Sequence, residues 1–109
     1  MKVRKARKGS KDYTGAFKIA KDLKEWFTKE GLRSMKTDFL FDNLAVATDK
    51  NKVFGFLCYS SNAGVMQLIW MGVKREYRRK GVGRSLLNWL VAESMRAMSF
   101  SSNLSFLTF

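Results

Sequence analysis

Three short apolar segments in the middle of the chain set the tightest limit on its fold. They are Asn43-Leu44-Ala45-Val46-Ala47-Thr48, Val53-Phe54-Gly55-Phe56-Leu57-Cys58-Tyr59 and Val65-Met66-Gln67-Leu68-Ile69-Trp70-Met71-Gly72-Val73. Runs of this length suit buried strands. Asp49-Lys50-Asn51-Lys52, between the first two, is polar and compact, as a hairpin turn requires. Residues 60–64 turn the chain again before the third. Strands joined by turns this short pair antiparallel, so the spacing predicts a meander.

On either side of the meander the apolar period becomes three and four residues. Asp12 or Thr14 is placed to cap a helix whose face is Ala16, Ile19, Ala20, Leu23, Trp26 and Phe27. Thr28 is placed to cap a second, with Leu32, Met35 and Phe39 as its stripe. After the meander, Val82, Leu86, Leu87, Leu90, Val91, Met95 and Met98 make a broad stripe on a third helix. Ser101-Ser102-Asn103 breaks that helix, and residues 104–109 read as a final strand. Residues 2–6 alternate charge with Val3 and read as a short edge strand. The order is strand, helix, helix, three strands, helix, strand. At 109 residues, 46% of them hydrophobic, the expectation is one small α+β domain over residues 1–109.

Lys plus Arg number 21 against 9 Asp plus Glu, a formal net charge of +12. Such a field attracts nucleic acid, an anionic membrane surface or a phosphorylated cofactor, without choosing among them. Other features narrow the field. No apolar run reaches the roughly 18 residues of a membrane span, and no apolar core follows the charged N-terminus as in a signal peptide. With no His and the single Cys58, neither an internal disulfide nor a metal cluster is expected. These features point to a cytoplasmic protein. No aromatic RNA-binding signature or helix-turn-helix spacing accompanies the charge, so a nucleic-acid partner is not expected.

The chemistry concentrates in Arg78-Arg79-Lys80-Gly81-Val82-Gly83-Arg84, which joins a strand to a helix. Peptide N–H groups of a first helical turn lack internal partners, and the helix dipole adds positive charge there, so the turn is an anion site. The two glycines allow close backbone approach. The expected ligand is a phosphate or pyrophosphate. The segment is not a Walker loop, because GxxxxGK[ST] is absent. Nor is it a dinucleotide fingerprint, because Leu86 stands where the third glycine belongs and the preceding strand lies in a meander.

Arg78-Arg79-Lys80-Gly81-Val82-Gly83 instead resembles the [RQ]xxGx[GA] acetyl-CoA motif of the GNAT-type N-acetyltransferase superfamily. Residues 70–77 look like that family's strand leading into the motif, and the element order from Val3 to Leu107 is similar too. The resemblance implies a mixed, mostly antiparallel sheet with helices on both faces, lacking the family's usual last helix and strands after strand five. It implies acetyl-CoA as co-substrate and no metal. Backbone amides from Arg79 to Arg84 would cradle the pyrophosphate, beside the side chains of Arg78, Arg79, Lys80 and Arg84. Met71 and Val73 would pair with the pantetheine arm like an added strand. A bulge in the family's fourth strand opens a thioester slot, where an N–H of Met71 or Gly72 would polarise the carbonyl. An unidentified amine acceptor would then attack directly.

The remaining candidates carry less. Family members often place a Glu base on the fourth strand; Gln67 lies near that position, and an amide takes no proton. Glu76 is the other carboxylate close in sequence, but its place beside the motif reads as surface. Lys74, Arg75 and Arg84 set the field more than they touch a ligand. Cys58 reads as a small core residue, Tyr77 as motif framing, and Trp70 and Tyr59 as core aromatics or lining of an acceptor slot. The apolar residues Leu104, Phe106, Leu107 and Phe109 lead to the expectation of a homodimer that covers the last strand. Besides an N-acetyltransferase, a non-catalytic CoA-binding protein and a small basic nucleic-acid binder stay open.

Overall fold

A computed structural model describes residues 1–63 and 65–100, the side chains of 98–100 excepted. Strands β1 (Lys2–Lys5), β2 (Asn43–Asp49), β3 (Lys52–Asn62) and β4 (Val65–Val73) form one antiparallel sheet in that order. Helices α1 (Lys11–Asp22) and α2 (Lys29–Phe41) lie between β1 and β2, and α3 (Val82–Phe100) follows β4. The meander, the edge position of the first strand and the element order through α3 match the expectation from sequence. The predicted break at 101–103 and the strand at 104–109 lie outside the described residues.

Side-chain alternation splits the core into two layers. Leu44, Val46, Phe56 and Cys58 face α1 and α2, where they meet Ala16, Ile19, Ala20, Met35 and Phe39. Ala45, Ala47, Leu57 and Tyr59 face α3 and pack on Val82, Leu86 and Leu90. The helices thus cover both faces of the sheet. Two bulges interrupt the alternation. Thr48 pairs with Val53 and Ala47 with Gly55, so Phe54 is an extra residue in β3. Trp70 pairs with Cys58 and Leu68 with Tyr59, so Ile69 is an extra residue in β4. An extra residue leaves a gap in the ladder and bends its strand.

Three local expectations are corrected. Helix α1 starts at Lys11, after Ser10, and neither Asp12 nor Thr14 caps it. Asp12 is instead gripped by the Arg4 guanidinium at 2.7 and 3.1 Å, which ties the helix to β1. The helix also ends at Asp22, so Leu23, Trp26 and Phe27 do not continue its face. Their three- and four-residue spacing survives as a turn, in which the Trp26 and Phe27 N–H groups donate to the Leu23 carbonyl. That turn buries Phe27 and leaves Trp26 67% exposed. Finally, β3 runs on to Asn62, so the second turn is tighter than residues 60–64 suggested, with Ala63 at φ 54°. The Thr28 cap is as expected: its Oγ1 accepts from the Gly31 N–H at 3.0 Å. Among the described residues no helix is long and apolar enough to cross a membrane.

Candidate functional site

The α3 N-terminus meets β4 in a cleft of about 780 Å³. Gly55 makes this junction possible. A Cβ there would come within 2.9 Å of Val82 Cγ1 and 3.3 Å of Leu86 Cδ1, so only glycine lets α3 sit this low on the sheet. The turn into the helix is left-handed twice, at Arg79 (φ 62°) and Gly81 (φ 81°). The first helical hydrogen bond runs from the Ser85 N–H to the Gly81 carbonyl at 2.9 Å. The N–H groups of Val82, Gly83 and Arg84 therefore have no carbonyl partner within the helix.

The other wall is the edge of β4. The Lys74 N–H donates to the Phe54 carbonyl at 2.8 Å. Hydrogen-bonded pairs alternate along an antiparallel ladder, so Gly72 opposite Phe56 and Trp70 opposite Cys58 also face β3. The N–H and C=O groups of Met71 and Val73 consequently point away from β3, along the strand's other edge. This separates two residues that the sequence left equivalent. Met71 has an outward N–H, whereas that of Gly72 is turned into the sheet, so Gly72 is not a donor to the cleft. Gly72 has another role: a Cβ on it would lie 2.6 Å from Phe56 Cε1, so it admits the buried Phe56 ring.

Of the motif residues, Arg78, Arg79, Gly81, Val82, Gly83 and Arg84 line the cleft together with Met71, Gly72 and Val73. Val82 offers only backbone, since its side chain is buried against Gly55. At Gly83 an added Cβ would meet only Met71 Cε, at 4.0 Å, so the space above that glycine is free for a ligand. Among the described residues no acidic side chain lines the cleft. Lys80 is not in the lining; its Nζ lies 5.8 Å from the Tyr77 ring centroid. Tyr77 stacks on Phe54 at 4.4 Å and, besides framing the turn, lines the cleft.

The loop after α1 supplies a third wall that sequence reading missed: Leu23, Trp26 and Phe27. Glu25 holds this loop to the motif, pairing closely with Arg75 and lying 3.8 Å from Arg78, whose guanidinium sits 5.9 Å from the Trp26 ring centroid. A hydrogen bond from its own backbone, and then Arg75 and Arg78, hold the Glu25 carboxyl below its usual range. The one sequence signal for this wall was a Trp and a Phe closing a helical stripe just before the Thr28 cap.

The candidate catalytic side chains do not converge. Gln67 is exposed, opposite Ser60, and Glu76 is exposed beside the motif; neither lines the cleft. Tyr59 is 2% exposed and packs edge-on against Trp89, so it lines no acceptor slot. Trp70 is half-buried and its Nε1 donates to Asp38 at 2.7 Å. Cys58 is fully buried, and burial pushes its thiol up to about 12, which makes it core and no nucleophile.

Comparison with known proteins agrees with this geometry. The model of the acetyltransferase (GNAT) family matches residues 14–108. Three solved structures share the fold. One is described as a putative acetyltransferase of the GNAT family from Desulfovibrio desulfuricans, with TM-score 0.74 and 19% identity, covering 86% of this chain and 65% of that one. An aminoglycoside 6'-N-acetyltransferase complexed with coenzyme A gives TM-score 0.70 and 14% identity, covering 89% and 57%. The paia N-acetyltransferase from Thermoplasma acidophilum, in complex with coenzyme A, gives 0.65 and 19%, covering 88% and 74%. The chain thus spans less than two thirds of the length of the first two. No curated protein matches in sequence.

Proposed function

Because this chain belongs to the acetyltransferase (GNAT) family, we propose that it binds acetyl-coenzyme A in the cleft between β4 and α3 and transfers the acetyl group to a primary amine by direct attack. Bound acetyl-CoA supplies an activated thioester. The pyrophosphate is assigned to the N–H groups of Val82, Gly83 and Arg84, with Arg78, Arg79 and Arg84 neutralising its charge. The outward groups of Met71 and Val73 are assigned to the amides of the pantetheine arm. Of these groups the outward Met71 N–H would serve the thioester carbonyl, where it would stabilise the developing negative charge, which leaves the Met71 carbonyl and Val73 for the pantetheine amides. The bulge at Ile69, one residue before Trp70, is where the acceptor amine is expected to enter.

One observation carries this reading. Unpaired helix amides, an outward strand edge and three arginines meet in one cleft with no acidic lining. Calorimetric titration with coenzyme A tests it, with Arg78→Ala expected to bind about tenfold more weakly, the loss of one charge-assisted contact. Absence of coenzyme A binding by the unaltered chain would overturn it.

A second reading is favoured by the exposed positions of Gln67 and Glu76: a coenzyme A-binding protein without turnover. Thiol release from acetyl-CoA across a panel of amines separates the two, since tight binding without release selects the second. The proposal also includes one domain over residues 1–109, a cytoplasmic location and a homodimer. Leu87, Val91 and Met95 form a stripe on α3 that is 39%, 56% and 64% exposed, an apolar surface suited to self-association. A concentration-independent monomer in sedimentation would count against the dimer.

A further inference from the structure

A second cavity, of about 400 Å³, lies between α1 and α2 and shares no residue with the cleft. Its floor is aromatic. Tyr13 and Phe17 of α1 both meet the Phe39 ring of α2 edge-on, at 5.9 and 6.3 Å between centroids. Its rim is cationic. Lys18 and Lys21 come from α1 and Lys36 from α2, and the Nζ atoms of Lys21 and Lys36 each lie 5.5 Å from the Phe17 centroid.

Among the described residues no carboxylate lines this cavity. Of the acidic residues close in sequence, Asp12 is held by Arg4 and Asp38 accepts from Trp70, while the exposed Asp22, next to Lys21, is not part of the lining. Among the described residues none of the three lysines has an ion-pair partner. Ammonium groups from two helices therefore lie near one ring, and no ion pair among the described residues neutralises them. Their mutual repulsion opposes that arrangement, and an anion placed among them relieves it. The angled aromatic floor asks for something further. A free inorganic anion would leave the rings in water, whereas a nucleic-acid backbone would engage the lysines but has no need of a concave aromatic floor. The volume is at the lower end for small-molecule pockets.

We propose that this groove binds a small organic anion with a flat apolar body, of the aromatic carboxylate class. The apolar body packs into the angle between the Phe17 ring and the edge of the buried Phe39, and the carboxylate is held by Lys21 and Lys36, with Lys18 as a third positive charge.

The test uses the full chain and 2-naphthoate as probe, followed by amide chemical-shift mapping in NMR. Its neutral counterpart 2-naphthylmethanol and a short single-stranded DNA serve as controls. The expected result is saturable naphthoate binding with shifts confined to residues of α1 and α2. The alcohol should bind about tenfold more weakly, and a Lys21→Gln/Lys36→Gln double variant should lose about tenfold in affinity. Thermal melting checks that the variant is folded. Equal binding of acid and alcohol, an unchanged lysine variant, or shifts mapping to the β4–α3 cleft would each overturn the proposal. So would DNA binding through these lysines without any naphthoate binding.

Discussion

Gly55→Ala probes the junction on which the whole cleft is built. The added methyl would stand 2.9 Å from Val82 Cγ1 and 3.3 Å from Leu86 Cδ1, while Ala47 Cβ is already at 3.5 Å on the other side. Carbon atoms are comfortable at about 3.5–4.0 Å, so the first turn of α3 has to rise by roughly 0.6 Å. Val82 is 3% and Leu86 0% exposed, so neither swings into solvent. Overpacking of this kind costs about 1–3 kcal/mol, which lowers the melting temperature by about 5–20 °C in a chain this size. The same movement displaces the free amides of Val82, Gly83 and Arg84, and coenzyme A affinity should fall about tenfold as those hydrogen bonds lengthen. Val82→Ala removes the closest contact. On its own it destabilises by leaving a cavity, but with Gly55→Ala it should restore at least about 1 kcal/mol relative to the sum of the single changes. Calorimetry and thermal melting of the four proteins complete the cycle. Unchanged melting of Gly55→Ala, or strict additivity with Val82→Ala, would show that the helix does not rest on this glycine.

Three further experiments test separate parts of the fold. Tyr13 Oη is buried without a hydrogen-bond partner, so Tyr13→Phe should leave stability unchanged or raise it by up to about 1 kcal/mol; a clear loss in a denaturant melt would reveal a partner. Gly81 has φ 81° and Gly83 does not, so Gly81→Ala should cost about 1–2 kcal/mol while Gly83→Ala costs little, and equal losses would refute the assigned turn. Glu25 has its carboxyl held below the ordinary 4.5, so its tether is complete above that pH and is lost as pH falls through the lower folded value. Trp26 emission, isolated by comparison with Trp26→Phe, should therefore change only in acid, and Glu25→Gln should abolish that transition. A transition that persists in Glu25→Gln belongs to another group.

The parts of this fold that were readable in sequence are those fixed by local pattern. The strands and the Thr28 cap follow from period and from residue type. The end of α1 was not readable, because Leu23, Trp26 and Phe27 keep helical spacing after the helix has ended. Spacing alone does not distinguish a helix from a turn that presents the same face. The cap at Ser10 was missed for a related reason: Asp12 is a good capping residue, but a tertiary partner, Arg4, claims its carboxylate. The equivalence of Met71 and Gly72 was broken only by the ladder, since which amide faces outward depends on the Lys74–Phe54 hydrogen bond and not on side-chain type.

This division also explains why the sequence carries a motif for the proposed cofactor end of the site and none for the acceptor end. In the proposed function, phosphate and pantetheine recognition would rest on backbone: free amides of a helix start and the outward edge of a strand. What sequence must supply for that is permission, namely glycine at 55 and 72 for close packing and at 81 for a left-handed turn. Such requirements leave a short, readable motif, and they are compatible with a fold shared at TM-scores of 0.65–0.74 by chains only 14–19% identical. Acceptor recognition would depend instead on side chains brought together from distant elements. Trp70 and Asp38 meet across 32 positions of chain, and Glu25 reaches Arg75 across 50. No spacing rule links such pairs. A search for the acceptor should accordingly vary side chains on the α1–α2 loop and around the β4 bulge, while holding the three backbone glycines fixed.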